Sequence, residues 1–148
     1  MSIQRIYFEP ENFVLTLIYG KLTNSELTDH VMEMNREYNH IHGVRELADC
    51  RYLVDVSDLT GSAVLNSAEM ESGAARAIGG RGAIVATSNL IIGLANMYAA
   101  VASDIRDESM VFRSMDEALK WLKIDSIRPE VESLISETAY QQRDNTTD

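Results

Sequence analysis

Residues 51–89 constrain this chain most. The run Tyr52-Leu53-Val54-Asp55 reads as a strand ending in an acid. It leads through Ser57, Asp58, Thr60 and Ser62 into a helical pattern, and a second apolar strand, Ala83-Ile84-Val85-Ala86, follows. Two strands joined through a helix pair in parallel, with a crossover that is right-handed in nearly all proteins. Such a unit gathers polar side chains at the carboxyl ends of its strands, the edge where open α/β sheets bind ligands. The expected site therefore includes Asp55, Ser57, Asp58, Thr60 and Ser62.

Ahead of this unit, residues 3–9 and 13–19 read as strands separated only by Glu9-Pro10-Glu11-Asn12, a spacing that permits nothing but an antiparallel hairpin. Val14-Leu15-Thr16-Leu17-Ile18 is almost continuously apolar, as a strand covered on both faces must be, whereas 3–9 mixes polar and apolar positions like an edge. The sheet is therefore mixed. Thr23 with Glu26 forms a capping box that starts a helix, and Leu27, Val31, Met34, Tyr38 and Ile41 line one stripe of it until Gly43.

A weaker, alanine-rich helix is expected over 63–78, with Val64, Leu65, Ala68, Ala75 and Ile78 inward and Gly79-Gly80 as its stop. Residues 89–105 form the most apolar helix. Leu90, Leu94, Met97, Tyr98, Val101 and Ile105 make one face, and Ala95, Ala99, Ala102 and Ser103 another. A helix apolar nearly all round must be covered nearly all round, so a second subunit or a ligand is expected against it. A short strand, 109–112, and a second capping box, Ser114-Met115-Asp116-Glu117, lead into a helix over 116–123 with Ala118, Leu119 and Leu122 inward and Trp121 at its end. After Lys123 the composition changes: Arg128-Pro129-Glu130 opens a helix with Val131, Leu134, Ile135 and Thr138 as a thin apolar stripe. The polar tail 141–148 is expected to be disordered.

At 148 residues and 45% hydrophobic content the chain can bury roughly two-thirds of its unfolded surface as one domain. A net charge of −10, with 13 basic residues scattered among 23 acids, excludes the clustered Lys and Arg that nucleic acid or an anionic membrane requires. Cys50 is the only cysteine, read as a small apolar filler at the start of a buried strand. With no internal disulfide and no basic-then-apolar leader, a cytoplasmic location is expected. Residues 82–103 carry no charge over about the length of a bilayer crossing, but Thr87, Ser88, Asn89 and Asn96 divide them into a strand and a helix, so no transmembrane segment is expected.

No metal site emerges. Asp55 and Asp58 lack a third acid and a placed lysine, His40 and His42 stand two apart on different sides of a helix end, and His30 lies over two turns away. Gly79-Gly80-Arg81-Gly82 lies between helix and strand, the wrong side for a phosphate loop. No nucleophile pairs with a histidine by spacing. The expected protein is not an enzyme and takes no cofactor.

Several segments carry a family resemblance: Gly20-Lys21-Leu22-Thr23, Tyr52-Leu53-Val54-Asp55-Val56-Ser57-Asp58, Ala83-Ile84-Val85-Ala86 with Gly93-Leu94-Ala95, and Val111-Phe112-Arg113-Ser114 before Ala118-Leu119-Lys120-Trp121-Leu122. With the order strand, strand, helix, strand, helix, strand, helix, strand, helix, the chain resembles the STAS fold of anti-sigma-factor antagonists. It is closer still to the small bacterial SpoIIAA-like proteins, which share features with Sec14-type lipid-binding domains. The resemblance spans residues 3–122. It implies an α/β domain over 1–124 with a mixed five-stranded sheet and about four helices, followed by a C-terminal helical extension over 125–148. In STAS antagonists a kinase phosphorylates a serine at the start of the helix after the central strand; here Asp58-Leu59-Thr60-Gly61-Ser62 stands there, making Ser62 and Thr60 the candidate phosphoacceptors. The resemblance implies a non-enzymatic regulatory or protein-interaction module. The alternative is a binder of a small apolar or lipid-like ligand, with Leu90, Ile91, Leu94, Met97 and Tyr98 lining a groove beside loop 57–62. Assembly as a homodimer or higher homo-oligomer is expected.

Overall fold

The computed structural model describes residues 2–38, 41–74, 79–103 and 108–146. Its sheet has five strands in the order of the chain: β1 (Ile3–Phe8), β2 (Phe13–Lys21), β3 (Arg45–Asp55), β4 (Arg81–Val85) and β5 (Glu108–Phe112). β1 and β2 form the hairpin in antiparallel register, Ile3 opposite Ile18, and every later pair is parallel. Asn12 closes the hairpin turn with a positive φ of 50°, a conformation asparagine tolerates better than most residues. The sheet is mixed, as the spacing of its strands dictates.

Among the described residues five helices cover its two faces: α1 (Asn24–Tyr38), α2 (Gly61–Ser72), α3 (Asn89–Ala102), α4 (Met115–Trp121) and α5 (Arg128–Thr146). On one face Phe13, Leu15, Leu17 and Leu47 meet Leu119 and Leu122, and Val131 and Ile135 of α5 are buried in the same core. On the other face Ile18, Leu53 and Ala86 lie beneath Leu27, Val64 and Ile91. Phe13 through Ile18 are all buried, since β2 has a helical layer on both sides.

The first capping box forms in both halves and the second through its serine. Glu26 N–H donates to Thr23 Oγ1 at 3.3 Å while Thr23 N–H donates to Glu26 Oε1 at 3.1 Å, and Ser114 Oγ accepts from Glu117 N–H. The α1 stripe of Leu27, Val31, Met34 and Tyr38 is buried.

Several boundaries differ from expectation. β3 starts at Arg45, well before the run Tyr52-Leu53-Val54-Asp55; Arg45, Glu46, Asp49 and Arg51 interrupt the apolar pattern that would mark its first half. α2 stops at Ser72, where Gly73 caps it by donating to the carbonyls of Glu69 and Glu71. Leu65 lies outward because the inward face of α2 is set by Val64, Ser67 and Ala68. Ala75, Ile78, His40 and Ile105, assigned above to helices or helix ends, lie outside the described residues. α5 continues through residues 141–146, where a tail was expected, consistent with the good helix propensity of Gln and Arg.

Candidate functional site

The site begins with a fault in the sheet. Leu17 pairs with Asp49 and Tyr19 with Tyr52, so β3 carries one extra residue between those points, a β-bulge. Asp49 holds it. Its buried carboxylate accepts from Arg51 N–H at 3.1 Å, Nε at 2.9 Å and Nη2 at 3.0 Å. The extra residue reverses the side-chain alternation. Leu47 faces the α4 and α5 layer, whereas Leu53, six residues on and so of the same phase, joins Cys50 in the cluster under α1, α2 and α3. Burial, with Asp49 and Glu46 nearby, pushes the Cys50 thiol up to about 12.

Under those three helices lies a cavity of about 100 Å³. Its floor consists of rows across the sheet. Glu46, Gly82 and Ser109 are register partners in one row, and Ala48 and Ile84 in the next. Small residues make the space, since Ala48 and Gly82 rise little from the floor and α3 presents Ala95 from above. Ala48 and Ile84 stay half-buried although they sit mid-sheet under a helical layer. Leu94 and Tyr98 of α3, Val64 of α2 and the loop residues Val56 and Leu59 complete the apolar wall.

One end of the cavity is polar. Thr16 Oγ1 donates to Glu46 Oε2 at 2.7 Å, and His30 Nε2 lies 3.1 Å from the same oxygen. Arg5 Nη1 is 3.0 Å from His30 Nδ1. A guanidinium only donates, so Nδ1 accepts, and the proton on Nε2 is donated to Glu46. Tyr98 OH donates to Glu71 Oε1 at 2.8 Å, tying α3 to α2 across the same end. Glu46, His30 and Glu71 are all buried. Sequence reasoning missed these residues. For His30 there was a signal, because it stands three residues after Leu27 and four before Met34, on the apolar stripe; Glu46 lies in a charged stretch that carries no strand pattern.

The expected site residues fall into two groups. Asp55, Ser57, Asp58, Thr60 and Ser62 come together on the β3–α2 loop, outside the cavity. Ser57 donates to Asp55 Oδ1 from both N–H (2.9 Å) and Oγ (2.6 Å), which lowers the Asp55 carboxyl from its usual value, with Lys21 adding a smaller pull. Lys21 Nζ pairs instead with Asp58 at 2.8 Å and is itself raised by that contact. Thr60 is the N-cap of α2: its Oγ1 accepts from Ala63 N–H and from Asn24 Nδ2, and lies 3.2 Å from Ser62 Oγ. Ser62 is exposed on the first turn. Among the described residues no group of three or more His, Cys, Asp or Glu is placed to hold a metal.

Of the α3 residues, Leu94, Tyr98 and Ile91 line the cavity. Leu90 and Met97 do not; they lie on the outer surface, 65% and 37% exposed. The inward face is Ile91, Ala95, Ala99 and Ala102. The small residues, not the large ones, let the helix approach the sheet, so Leu90 and Met97, expected to line the groove, are left outside it.

No helix among the described residues is long and apolar enough to cross a membrane. No family model and no curated protein matches the sequence. A solved structure does: an uncharacterized protein of the DUF3478 family with a SpoIIAA-like fold from Shewanella loihica PV-4, at 18% identity and a TM-score of 0.54, covering 81% of this chain and 91% of that one. The parallel core strands, the leading hairpin and the helices on both faces are thus a SpoIIAA-like fold.

Proposed function

We propose that this chain is a non-enzymatic, STAS-like binding module whose ligand is a small apolar molecule held in the cavity under α1, α2 and α3. The observation that carries the reading is the cavity itself. A module that works only through its surface has no use for a space of about 100 Å³ beneath its helices. That volume is of the order of the roughly 150 Å³ apolar cavity that takes up benzene or xenon. Well-packed interiors contain few voids larger than a water molecule. The test is native mass spectrometry of the protein purified from its own host, joined to a benzene titration followed by methyl NMR. An added small mass that leaves on denaturation, with benzene shifting Ile84 and Leu94, supports the reading. A bare chain that takes up no benzene overturns it.

A second reading has its own observation. The outer face of α3, a helix without one charged residue, exposes Leu90 and Met97, and α2 exposes Leu65. A chain of net charge −10 repels its own copies least through such a surface. A second copy is the occupant it fits, and the assembly state in solution decides the matter. Phosphorylation at Thr60 has less support than at Ser62, because the Thr60 hydroxyl is committed to the helix cap.

A further inference from the structure

A ligand held under the helices must also get in. The space there is about 100 Å³, smaller than the roughly 150 Å³ cavity that takes up benzene. A molecule of that size therefore settles only when a wall gives way. The floor is the sheet, held by the ladders of its strands. The roof includes α2, which lines the space with Val64 near its start and Glu71 near its end, about two turns apart on one face.

Of the three helices above the cavity, α2 is the least firmly held. It buries two apolar side chains, Val64 and Ala68, and completes its inward face with Ser67 and Glu71. α1 buries Leu27, Val31, Met34 and Tyr38, and α3 buries Ile91, Ala95, Ala99 and Ala102. The backbone preference of α2 is weak as well, since Ser62, Asn66, Ser67 and Ser72 stand below the strong helix formers and Gly61 lower still. Its charges do not favour the helix dipole. No acid stands in its first turn and no base in its last, where the exposed Glu69 meets the negative end instead. α1, by contrast, has Glu26 in its first turn and Arg36 in its last. Hydrogen bonds tie α2 down on both sides: Asn24 Nδ2 donates to Thr60 Oγ1 at 3.2 Å, Asn35 Nδ2 to the Met70 carbonyl at 3.3 Å, and Tyr98 OH to Glu71. The Asn24 bond is exposed, where water replaces it at little cost. An element with few buried apolar contacts opens locally well below the cost of global unfolding.

Resting on the cavity as the ligand site, we infer that α2 is the moving wall that admits the ligand. It lifts as one unit between loop 57–60 and Gly73, while the sheet, α1 and α3 keep their places.

The experiment is amide hydrogen exchange of the full chain followed by NMR, joined to the rate of benzene uptake. Amides 65–72 are expected to be at least about tenfold less protected than the central amides of α1 and α3, the size of one fewer buried apolar side chain. A single value shared along α2, rather than a gradient from its ends, marks a unit that lifts whole. Glu69→Lys, on the solvent side, complements the dipole; it is expected to raise that protection about threefold and leave α1 and α3 unchanged. Thr28→Cys with Ser67→Cys, at hydroxyls 3.5 Å apart, ties α2 to α1. The oxidised form is expected to take up benzene at least about tenfold more slowly than the same protein reduced. Cys50 stays out of the exchange, since its thiol is buried and pushed up to about 12. Protection of α2 equal to that of α1 and α3, or equal uptake by the oxidised and reduced forms, overturns the moving wall. Benzene binding alongside that result leaves the cavity reading standing. If benzene binds neither the wild type nor the reduced variant, the cavity reading falls, and the admitting role of α2 falls with it.

Discussion

Asp49 shows how a single residue can set the geometry of a site it does not touch. It sits in the middle strand, 1% exposed, and every bond it makes goes to Arg51 two residues on. Those bonds hold the bulge, and the bulge turns Leu53 to the cavity side that Ala48 and Cys50 already face. Removing one partner of a buried pair costs about 3–5 kcal/mol where the other charge is stranded in the interior. Arg51 is 28% exposed and can reach water, so Asp49→Ala is expected to cost less, about 2–3 kcal/mol. Urea unfolding measures this, and a loss under about 1 kcal/mol would show that the bulge holds without the pair. The same residue explains why the sequence misleads. A carboxylate ahead of Cys-Arg carries no strand pattern, and only the arginine two positions later, folded back on it, makes burial tolerable. The strand was therefore legible from Cys50 onward and not before.

At the scale of elements, the hairpin, the parallel unit and both capping boxes could be read directly, because each rests on contacts between residues close in sequence. The phase of α3 could not. Its hydrophobicity is nearly uniform around the axis, so the side that faces the sheet is decided by how near the helix can come, a tertiary matter. Ile91, Ala95, Ala99 and Ala102 won that contest, and Leu90 and Met97 were left in solvent. A solvent-facing leucine is cheap to replace in a monomer, within about 0.5 kcal/mol. Leu90→Lys is therefore expected to leave the unfolding midpoint unchanged while converting a dimer to monomer, as read by light scattering coupled to size-exclusion chromatography. A wild-type chain that is already monomeric at the highest concentrations studied would remove α3 as a self-association face.

Across the whole molecule, one sheet separates two helical layers with different characters. The α4 and α5 side is closed: Leu119, Leu122 and Ile124 are buried to within a percent or so, and Val131 completely. The α1 to α3 side contains the cavity. The cavity was partly legible, since the apolar α3 helix suggested a groove with Tyr98 in its wall, but the rest of its polar end was not. That end joins Tyr98 to Glu46, Glu71 and Ser109, which come from β3, α2 and β5 and meet only through tertiary packing. If the space serves a ligand, it is maintained at a cost in packing, and filling it should trade function for stability. Ala48→Val suits a strand by its β-branch and adds two methyl-sized groups to the cavity floor. At about 0.8 kcal/mol per buried methylene, and with part of that lost to imperfect fit, a gain of roughly 0.5–1.5 kcal/mol is expected. Benzene uptake should fall in the same variant. A substitution that instead destabilised the protein would mean that the helices already close on Ala48 in solution, leaving no room for any ligand beneath them.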